Sequence, residues 1–213
     1  EGSDYTIENG LTRFVTVGDT IYCEMSHPAF SDFAGANVLK TTPILAAGMP
    51  TNVVASFKTT ADGDTVRLSL AAVDDSGIAI YFDWQGNGNL TQYVLGSTYR
   101  LFEAVTKADT DVKVYTYEPE ERITVFSMTG ASLSSFDGSR LNDAIGVTVA
   151  NAGLSAITLP TTTNKLKDLN LSGNKLKTID LSAYSNLYWL MLNANDLQTL
   201  DVSKNTTLGI LSA

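Results

Sequence analysis

A repeat of 21 residues near the carboxyl end constrains the fold of this 213-residue chain more than any other feature. Six apolar residues and one asparagine between positions 166 and 181 return 21 positions later, as Leu187, Leu190, Leu192, Asn195, Leu197, Leu200 and Val202. A further copy opens with Leu208 and Leu211. Self-similarity at a short fixed period predicts a solenoid, in which each coil buries its apolar residues against its neighbours.

The repeat extends towards the amino end in a more degenerate form. Steps of 22 and then 21 residues back from Leu169 reach Val147 and Phe126, so four coils and the start of a fifth run from Ile123. The string L-x-x-L-x-L-x-x-N-x-L is the leucine-rich-repeat pattern. The sequence therefore predicts a leucine-rich-repeat solenoid of 21–22-residue coils over 123–213, with extended or 3₁₀ returns because such coils leave no room for a full helix. Because the chain ends midway through a repeat, we expect this solenoid to be truncated at its C-terminal end.

The asparagine column of the repeat, Asn174 and Asn195, predicts a specific structural role. An amide side chain both donates and accepts hydrogen bonds, so it can satisfy backbone groups that a bend leaves unpaired. We expect these two amides to bond the backbone at the turn that follows each strand.

Upstream of the solenoid the pattern is that of short antiparallel strands. Between Gly, Asp and Asn turns lie six segments rich in β-branched and aromatic residues, at 52–59, 65–73, 78–84, 90–95, 99–105 and 111–117. Alternation such as Val66, Leu68 and Leu70 against Arg67 and Ser69 predicts one buried and one solvated face. The chain is therefore predicted to be mostly β, with a β-sandwich cap domain at 51–122 before the solenoid at 123–213.

Residues 1–50 remain an unassigned segment. They contain one predicted hairpin, Leu11–Val17 with Thr20–Met25, joined by Gly18-Asp19. The single cysteine, Cys23, and the single histidine, His27, lie here without an orienting partner, so Cys23 is interpreted as a small buried hydrophobe and not as a nucleophile.

Charge and composition exclude several classes of function. The net charge is −9, and all of it comes from residues 1–122, which hold 17 acidic and 8 basic side chains. An acidic surface repels phosphate, so nucleic acid is not a predicted partner. No apolar run is long enough for a membrane helix, so no membrane insertion by this chain is predicted. No constellation of catalytic residues is evident; the sequence predicts a non-enzymatic protein with no catalytic, cofactor or metal site.

The segment Asp83-Trp84-Gln85-Gly86-Asn87-Gly88-Asn89 offers two interpretations. Oxygen-bearing side chains at its first, third and fifth places and a glycine at the sixth match the start of a calcium loop. However, the twelfth place is Val94 instead of a bidentate glutamate, and the flanking elements are strands. The favoured interpretation is a glycine-rich hairpin turn with Trp84 packed on the sheet.

In each solenoid strand the residues between the apolar columns should face outwards, on the concave side. Most are small and polar, such as Ser127 and Thr148, but one group includes large apolar side chains. An exposed tryptophan beside other apolar residues is typical of a binding hot spot. The candidate ligand-binding residues are therefore Trp189, Met191, Ile210, Asp168, Asn170 and Asn193. The alternative is that further coils, another copy or an inserted loop covers the apolar members.

Two segments carry a resemblance to a known family. Leu197–Asn205 reads L-Q-T-L-D-V-S-K-N, and together with Leu176–Ser182 it resembles the L-T-S-L-D-V-S-x-N repeats of secreted, internalin-like leucine-rich-repeat proteins of gut anaerobic bacteria. In that family a β-domain with a D-W-G-D-G strand end often precedes the repeats; Ile80–Gly88 is similar but departs from it at Gln85 and Asn87. The resemblance implies an exported protein, extracellular or at the cell surface, that adheres to a protein or glycan. The alternatives are an accessory carbohydrate-binding module of a larger surface enzyme or glycan-capture system, with Trp84 or Trp189 stacking on sugar rings, and a structural spacer.

Overall fold

The computed structural model describes residues 50–75, 77–116, 122–161 and 165–213, together with four short strands in the first 49 residues. The chain divides into two compact units, Glu1–Met49 and Pro50–Ala213. In the first unit the described strands are β1 (Thr20–Ile21), β2 (Glu24–Ser26), β3 (Val38–Lys40) and β4 (Ile44–Leu45). β1 pairs antiparallel with β4, and β2 with β3. The predicted strand Leu11–Val17, its Gly18-Asp19 turn, Cys23 and His27 lie outside the described residues.

The second unit is built of strands, and its described residues contain no helix. Its strands are β5 (Asn52–Thr59), β6 (Thr65–Ala72), β7 (Ile78–Asp83), β8 (Thr91–Leu95), β9 (Arg100–Val105), β10 (Asp111–Thr116), β11 (Ile123–Thr129), β12 (Leu133–Asp137), β13 (Gly146–Ala150), β14 (Asp168–Asn170), β15 (Trp189–Met191) and β16 (Ile210–Ser212). The prediction of a mostly β chain is confirmed, and each of the six strands predicted upstream of the solenoid is present within one residue of its predicted ends.

The strands of the second unit form two sheets. The first has five antiparallel strands in the order β12-β5-β10-β7-β8. The second has seven strands in the order β16-β15-β14-β13-β11-β6-β9. In this second sheet β11 and β13 to β16 run parallel, whereas β6 pairs antiparallel with both β11 and β9. One sheet therefore carries both the repeat strands and two strands from the preceding region.

The repeat strands stack as the 21–22-residue spacing predicts. Val147 pairs with Leu169, Leu169 with Leu190, and Leu190 with Leu211, each one coil further along. β11 joins the same series, with Phe126 beside Val147. The result is a solenoid-like stack of about four turns, and the predicted stacking of these columns is confirmed.

The asparagine column satisfies the backbone at the turns, as predicted. The Oδ1 atom of the buried Asn174 accepts from the backbone N–H groups of Ala152 (3.3 Å) and Leu154 (3.1 Å). Its Nδ2 atom donates to the carbonyls of Val149 (2.7 Å) and Leu171 (2.9 Å). One side chain thus bonds four backbone groups on two neighbouring coils, which fixes the spacing between those coils.

Asn195 repeats this arrangement one coil later with three bonds. It accepts from the N–H of Leu176 (3.1 Å) and donates to the carbonyls of Leu171 (2.9 Å) and Leu192 (2.8 Å). A third amide, Asn205, lies at a different position of the repeat; it is also buried and donates to the carbonyls of Leu181 (3.0 Å) and Tyr184 (2.8 Å). The amides thus link successive coils at two places along the repeat.

The hydrophobic core runs without interruption through the second unit. Phe82 of the five-stranded sheet, Leu68 of β6 and Leu169 of β14 belong to one cluster of buried residues. Phe126 is fully buried, and its ring meets that of Phe136 of β12 edge to face, with 5.4 Å between centroids. Residues on both sides of the predicted domain boundary at 122 thus share one sheet and one core. The division of the second unit into two domains at 122 stays a prediction.

Candidate ligand-binding face

The parallel register brings the predicted site residues together on three neighbouring strands. Asp168 of β14 pairs with Trp189 of β15, which in turn pairs with Ile210 of β16. The next row of the same face contains Asn170, Met191 and Ser212 in the same order. Neighbouring strands lie about 4.8 Å apart, so side chains within a row are in reach of one another. Asn193 follows β15 by two residues.

Trp189 and Ile210 are the large apolar side chains that stand out on this face. Trp189 is 47% exposed and Ile210 48%, while Leu190, between Trp189 and Met191, is fully buried. Because successive side chains of a strand point to opposite sides, burial of Leu190 in the core turns Trp189 and Met191 outwards. Asp168 is exposed as well, and Met191 is half-buried.

The backbone before β15 holds Trp189 in place. The N–H groups of Tyr188 and Trp189 both donate to the carbonyl of Lys167, at 2.8 and 3.0 Å. One coil later, the N–H groups of Gly209 and Ile210 both donate to the carbonyl of Tyr188, each at 2.9 Å. This repeated bifurcated bond keeps the starts of the strands aligned, so the position of the tryptophan is set by regular backbone structure.

Tyr188 is a neighbour of the site that the sequence did not indicate. Its side chain is exposed, and its ring lies against Gly209, where an added Cβ would come within 2.5 Å of the tyrosine Cε2. The only signal in the sequence is the 21-residue spacing between an aromatic residue and a glycine. Tyr188 and Trp189 together place two partly exposed aromatic rings beside β16.

The polar members of the site are partly engaged in local hydrogen bonds. The Oδ1 atom of Asn170 accepts from the N–H (3.0 Å) and the hydroxyl (2.7 Å) of Ser172. The Ser212 hydroxyl lies 3.4 Å from the Oδ1 atom of Asn193, to which it donates. These bonds orient the two amides while leaving Asn193 exposed at the end of the face.

The same face continues beyond the predicted site onto earlier strands. The register places Thr148 beside Asn170, Ser127 beside Thr148, and Ser69 beside Ser127. Leu101 of β9 follows Ser69 at the far edge. The sequence indicated that Ser127 and Thr148 face outwards, but it did not indicate that β6 and β9 extend the row, because no repeat period relates those strands to the solenoid.

Trp84 is not available for stacking on a ligand, which corrects one of the two positions considered from the sequence. It is only 7% exposed, and its ring stacks on Phe82 with centroids 4.5 Å apart and planes within 4°. The apolar side of β7 draws this ring into the core. Of the two tryptophans, Trp189 alone presents its ring to solvent.

The segment Asp83–Asn89 is held as a hairpin turn by its own carboxylate. Asp83 is 4% exposed, and its two oxygens accept from the N–H groups of Asn87 (3.0 Å) and Gly88 (2.9 Å). Gly86 and Gly88 have φ values of 62° and 82°, which only glycine adopts at little cost. Both carboxylate oxygens thus accept hydrogen bonds from backbone N–H groups within the turn. This arrangement agrees with the interpretation of the segment as a glycine-rich hairpin turn.

Two further carboxylates, Asp180 and Asp201, lie one coil apart in the returns between strands. Each accepts from the backbone N–H two residues on, Ser182 at 2.9 Å and Ser203 at 2.8 Å. Hydrogen bonds from the hydroxyl and the N–H of Ser182 lower the pKa of Asp180, and those from the N–H and the hydroxyl of Ser203 lower the pKa of Asp201. Both side chains therefore favour the ionised form and serve to shape their turns.

Within the described ranges, no group of three or more His, Cys, Asp and Glu side chains is arranged to hold a metal ion. Nor does that part of the chain contain a helix with the length and apolar character required to cross a bilayer. No protein-family model, no curated protein and no solved structure matches the chain.

Proposed function

We propose that this protein is a non-enzymatic binding or adhesion module that holds a protein or glycan ligand on the face formed by β13 to β16. The observation that carries the proposal is the register that sets Asp168, the exposed Trp189 and Ile210 side by side on three parallel strands. A half-exposed tryptophan flanked by aliphatic and polar side chains is the kind of residue that dominates binding energy. Its fixed backbone means that little conformational entropy is lost on binding.

The proposal includes an identity for the repeats and for the region before them. We infer that the stacked coils are leucine-rich repeats, because their period, their buried leucine columns and their asparagine turns match that pattern. We infer that residues 51–122 form a β-sandwich cap, since β6 and β9 continue the solenoid sheet and cover its first coil. The repeat resemblance supports an extracellular or cell-surface location, with neither nucleic acid nor an inserted membrane segment as partner.

A second candidate is an accessory carbohydrate-binding module of a larger surface enzyme or glycan-capture system. The observation that favours it is the register that pairs an exposed carboxylate residue, Asp168 of β14, with Trp189 of β15. Sugars are commonly bound by an aromatic ring that stacks on the apolar side of the pyranose, with a polar side chain next to it that bonds the hydroxyls.

Replacement of Trp189 by alanine tests the site. The change is expected to weaken binding by about 2 kcal/mol, or roughly 30-fold in Kd, because it removes the largest exposed apolar side chain of the face. The measurement is a screen of the immobilised chain against a glycan array and a panel of extracellular proteins, followed by titration of each ligand found.

Tyr99→Ala is the matched control, because Tyr99 is an exposed aromatic residue preceding β9, at the opposite edge of the sheet. Its replacement should leave affinity unchanged. If every ligand that the wild-type chain binds also binds Trp189→Ala with the same Kd, the proposed site is wrong.

A further inference from the structure

A row of uncharged polar side chains spans four neighbouring strands of the seven-stranded sheet and ends next to β15, the strand that carries the exposed Trp189. Ser69, Ser127, Thr148 and Asn170 occupy successive positions in register on β6, β11, β13 and β14, followed by Met191 on β15. All five side chains are half-buried, so they form the floor of the face and remain in contact with solvent. We call these four polar residues, three with a hydroxyl and Asn170 with an amide, the hydroxyl row.

The hydroxyls of this row are free of hydrogen bonds to the part of the chain that the structure describes. Among the residues that the structure describes, those of Ser69, Ser127 and Thr148 form no hydrogen bond with another protein group. Other hydroxyls on the fold behave differently: that of Thr124 donates to the carbonyl of Ala72 at 3.1 Å, and that of Thr207 to the carbonyl of Leu187 at 2.8 Å. The row therefore offers aligned donors and acceptors that a ligand can use.

The spacing of the row selects the shape of the ligand. Adjacent strands lie about 4.8 Å apart, so the hydroxyl row together with Met191 at its end extends over roughly 19 Å. A pyranose chain advances by a similar distance per sugar, so successive sugars laid across the strands would meet successive side chains. An extended peptide advances about 3.3 Å per residue, so its residues would not keep step with the strands.

The charges on the face select a neutral ligand. Arg67, which neighbours the row on β6, is paired with Glu103 on β9 at 2.6 Å. Asp168, beside Trp189, adds a negative charge at the other end. A face with a compensated cation and an exposed carboxylate disfavours an anionic polymer. The small side chains and Gly146, whose missing Cβ would meet nothing nearer than 3.8 Å, leave room for ring-shaped units.

We propose that the hydroxyl row is an extended subsite for a neutral, linear glycan, with the ring of Trp189 as the stacking platform at one end. This inference rests on the proposed function, because it assigns a ligand class to the same face. It also extends that face onto β6, so the region before the repeats contributes directly to binding.

The test is calorimetric titration of the full 213-residue chain with neutral oligosaccharides of increasing length, from disaccharide to hexasaccharide, in the gluco, xylo, manno and chito series. Affinity for at least one series should rise with length until the glycan spans the row. The triple variant Ser69→Ala, Ser127→Ala and Thr148→Val removes the three hydroxyls and preserves side-chain shape at Thr148. It should weaken binding of the hexasaccharide by about tenfold or more and leave binding of the disaccharide unchanged.

The matched control exchanges two hydroxyls in the returns between strands, Thr178→Val and Thr199→Val, and should bind all lengths as the wild type does. Thermal unfolding of each variant confirms that the fold is retained. If no series binds, if affinity does not depend on length, or if the triple variant binds the hexasaccharide as the wild type does, the glycan subsite is wrong. A protein ligand lost in Trp189→Ala but kept in the triple variant would overturn the subsite and leave the proposed function standing. A glycan that Trp189→Ala and the triple variant both bind as tightly as the wild type does would overturn both.

Discussion

Replacement of Asn174 by alanine is expected to lower the free energy of unfolding by about 3 to 5 kcal/mol, a large loss for one polar side chain. Asn174 is buried and bonds four backbone groups, the N–H of Ala152 and Leu154 and the carbonyls of Val149 and Leu171. Alanine leaves these groups without the amide inside the solenoid, and each unsatisfied buried group costs about 1 to 3 kcal/mol, reduced where water enters. Urea unfolding measures the difference.

Alanine replacements of two other asparagines give stability losses with which the loss at Asn174 can be compared. Asn195→Ala should cost less, because Asn195 is only half-buried and makes three such bonds. Asn193→Ala should change stability by less than about 0.5 kcal/mol, since Asn193 is exposed. A loss at Asn174 no greater than the loss at Asn193 would show that the amide column does not hold the coils together.

Replacement of Phe126 by alanine is expected to cost about 3 to 5 kcal/mol and to destabilise the whole of Pro50–Ala213. Phe126 is fully buried, packs edge to face on Phe136, and lies on the strand between antiparallel β6 and parallel β13. Because the two sheets share one core, the cavity that Phe126→Ala leaves should destabilise the strands on both sides of the predicted boundary at 122. The two tryptophans report on the two sides, Trp84 at the end of β7 and Trp189 in β15.

The measurement is urea unfolding of Phe126→Ala followed through each tryptophan separately, in the Trp84→Phe and Trp189→Phe backgrounds. Both probes should give the same midpoint, shifted to lower urea than in the parent variants. Leu101→Ala, at an exposed position of β9, should leave both midpoints in place. If the midpoint reported by Trp84 does not move while that of Trp189 does, the region before the repeats folds independently of the coils.

The repeat strands were predictable from the sequence because their pairing is periodic. A constant spacing of 21 or 22 residues fixes which residue lies beside which, and from the sequence alone it predicts the row of Asp168, Trp189 and Ile210 that the register confirms. The amide of Asn174 was predictable for the same reason, since an asparagine that recurs at a turn has backbone groups to satisfy. Local alternation and turn residues likewise gave the strands from β5 to β10.

The sequence did not predict the pairing of strands that lie outside the 21-residue repeat pattern. β6 pairs with β11 across some 50 residues, and β12 leaves the repeat to pair with β5 in the other sheet, with Phe136 opposite Phe57. Strand alternation predicts that such strands exist, but it does not predict their partners, because a long connection imposes no register. The hydroxyl row depends on the pairing of β6 with β11, so it emerged only from the structure.

For Trp84 the sequence left two roles open, packing on the sheet, which was the favoured interpretation and is confirmed, and stacking on a sugar ring, which is wrong. A tryptophan at a strand end followed by glycines is compatible with exposure or with burial, and only the stacking on Phe82 decides between them. The roles of Trp84 and Trp189 are therefore distinguished by packing and not by local sequence.

The most direct test of ligand binding on this face is fluorine NMR of the chain labelled with fluorotryptophan. The labelled chain contains two reporters, the buried Trp84 and the exposed Trp189, and Trp189→Phe assigns their signals. Titration with a glycan or protein ligand found in the binding screen should shift the Trp189 signal in proportion to the bound fraction and leave the Trp84 signal in place. A ligand that saturates the chain while the Trp189 signal does not move would contradict binding on this face.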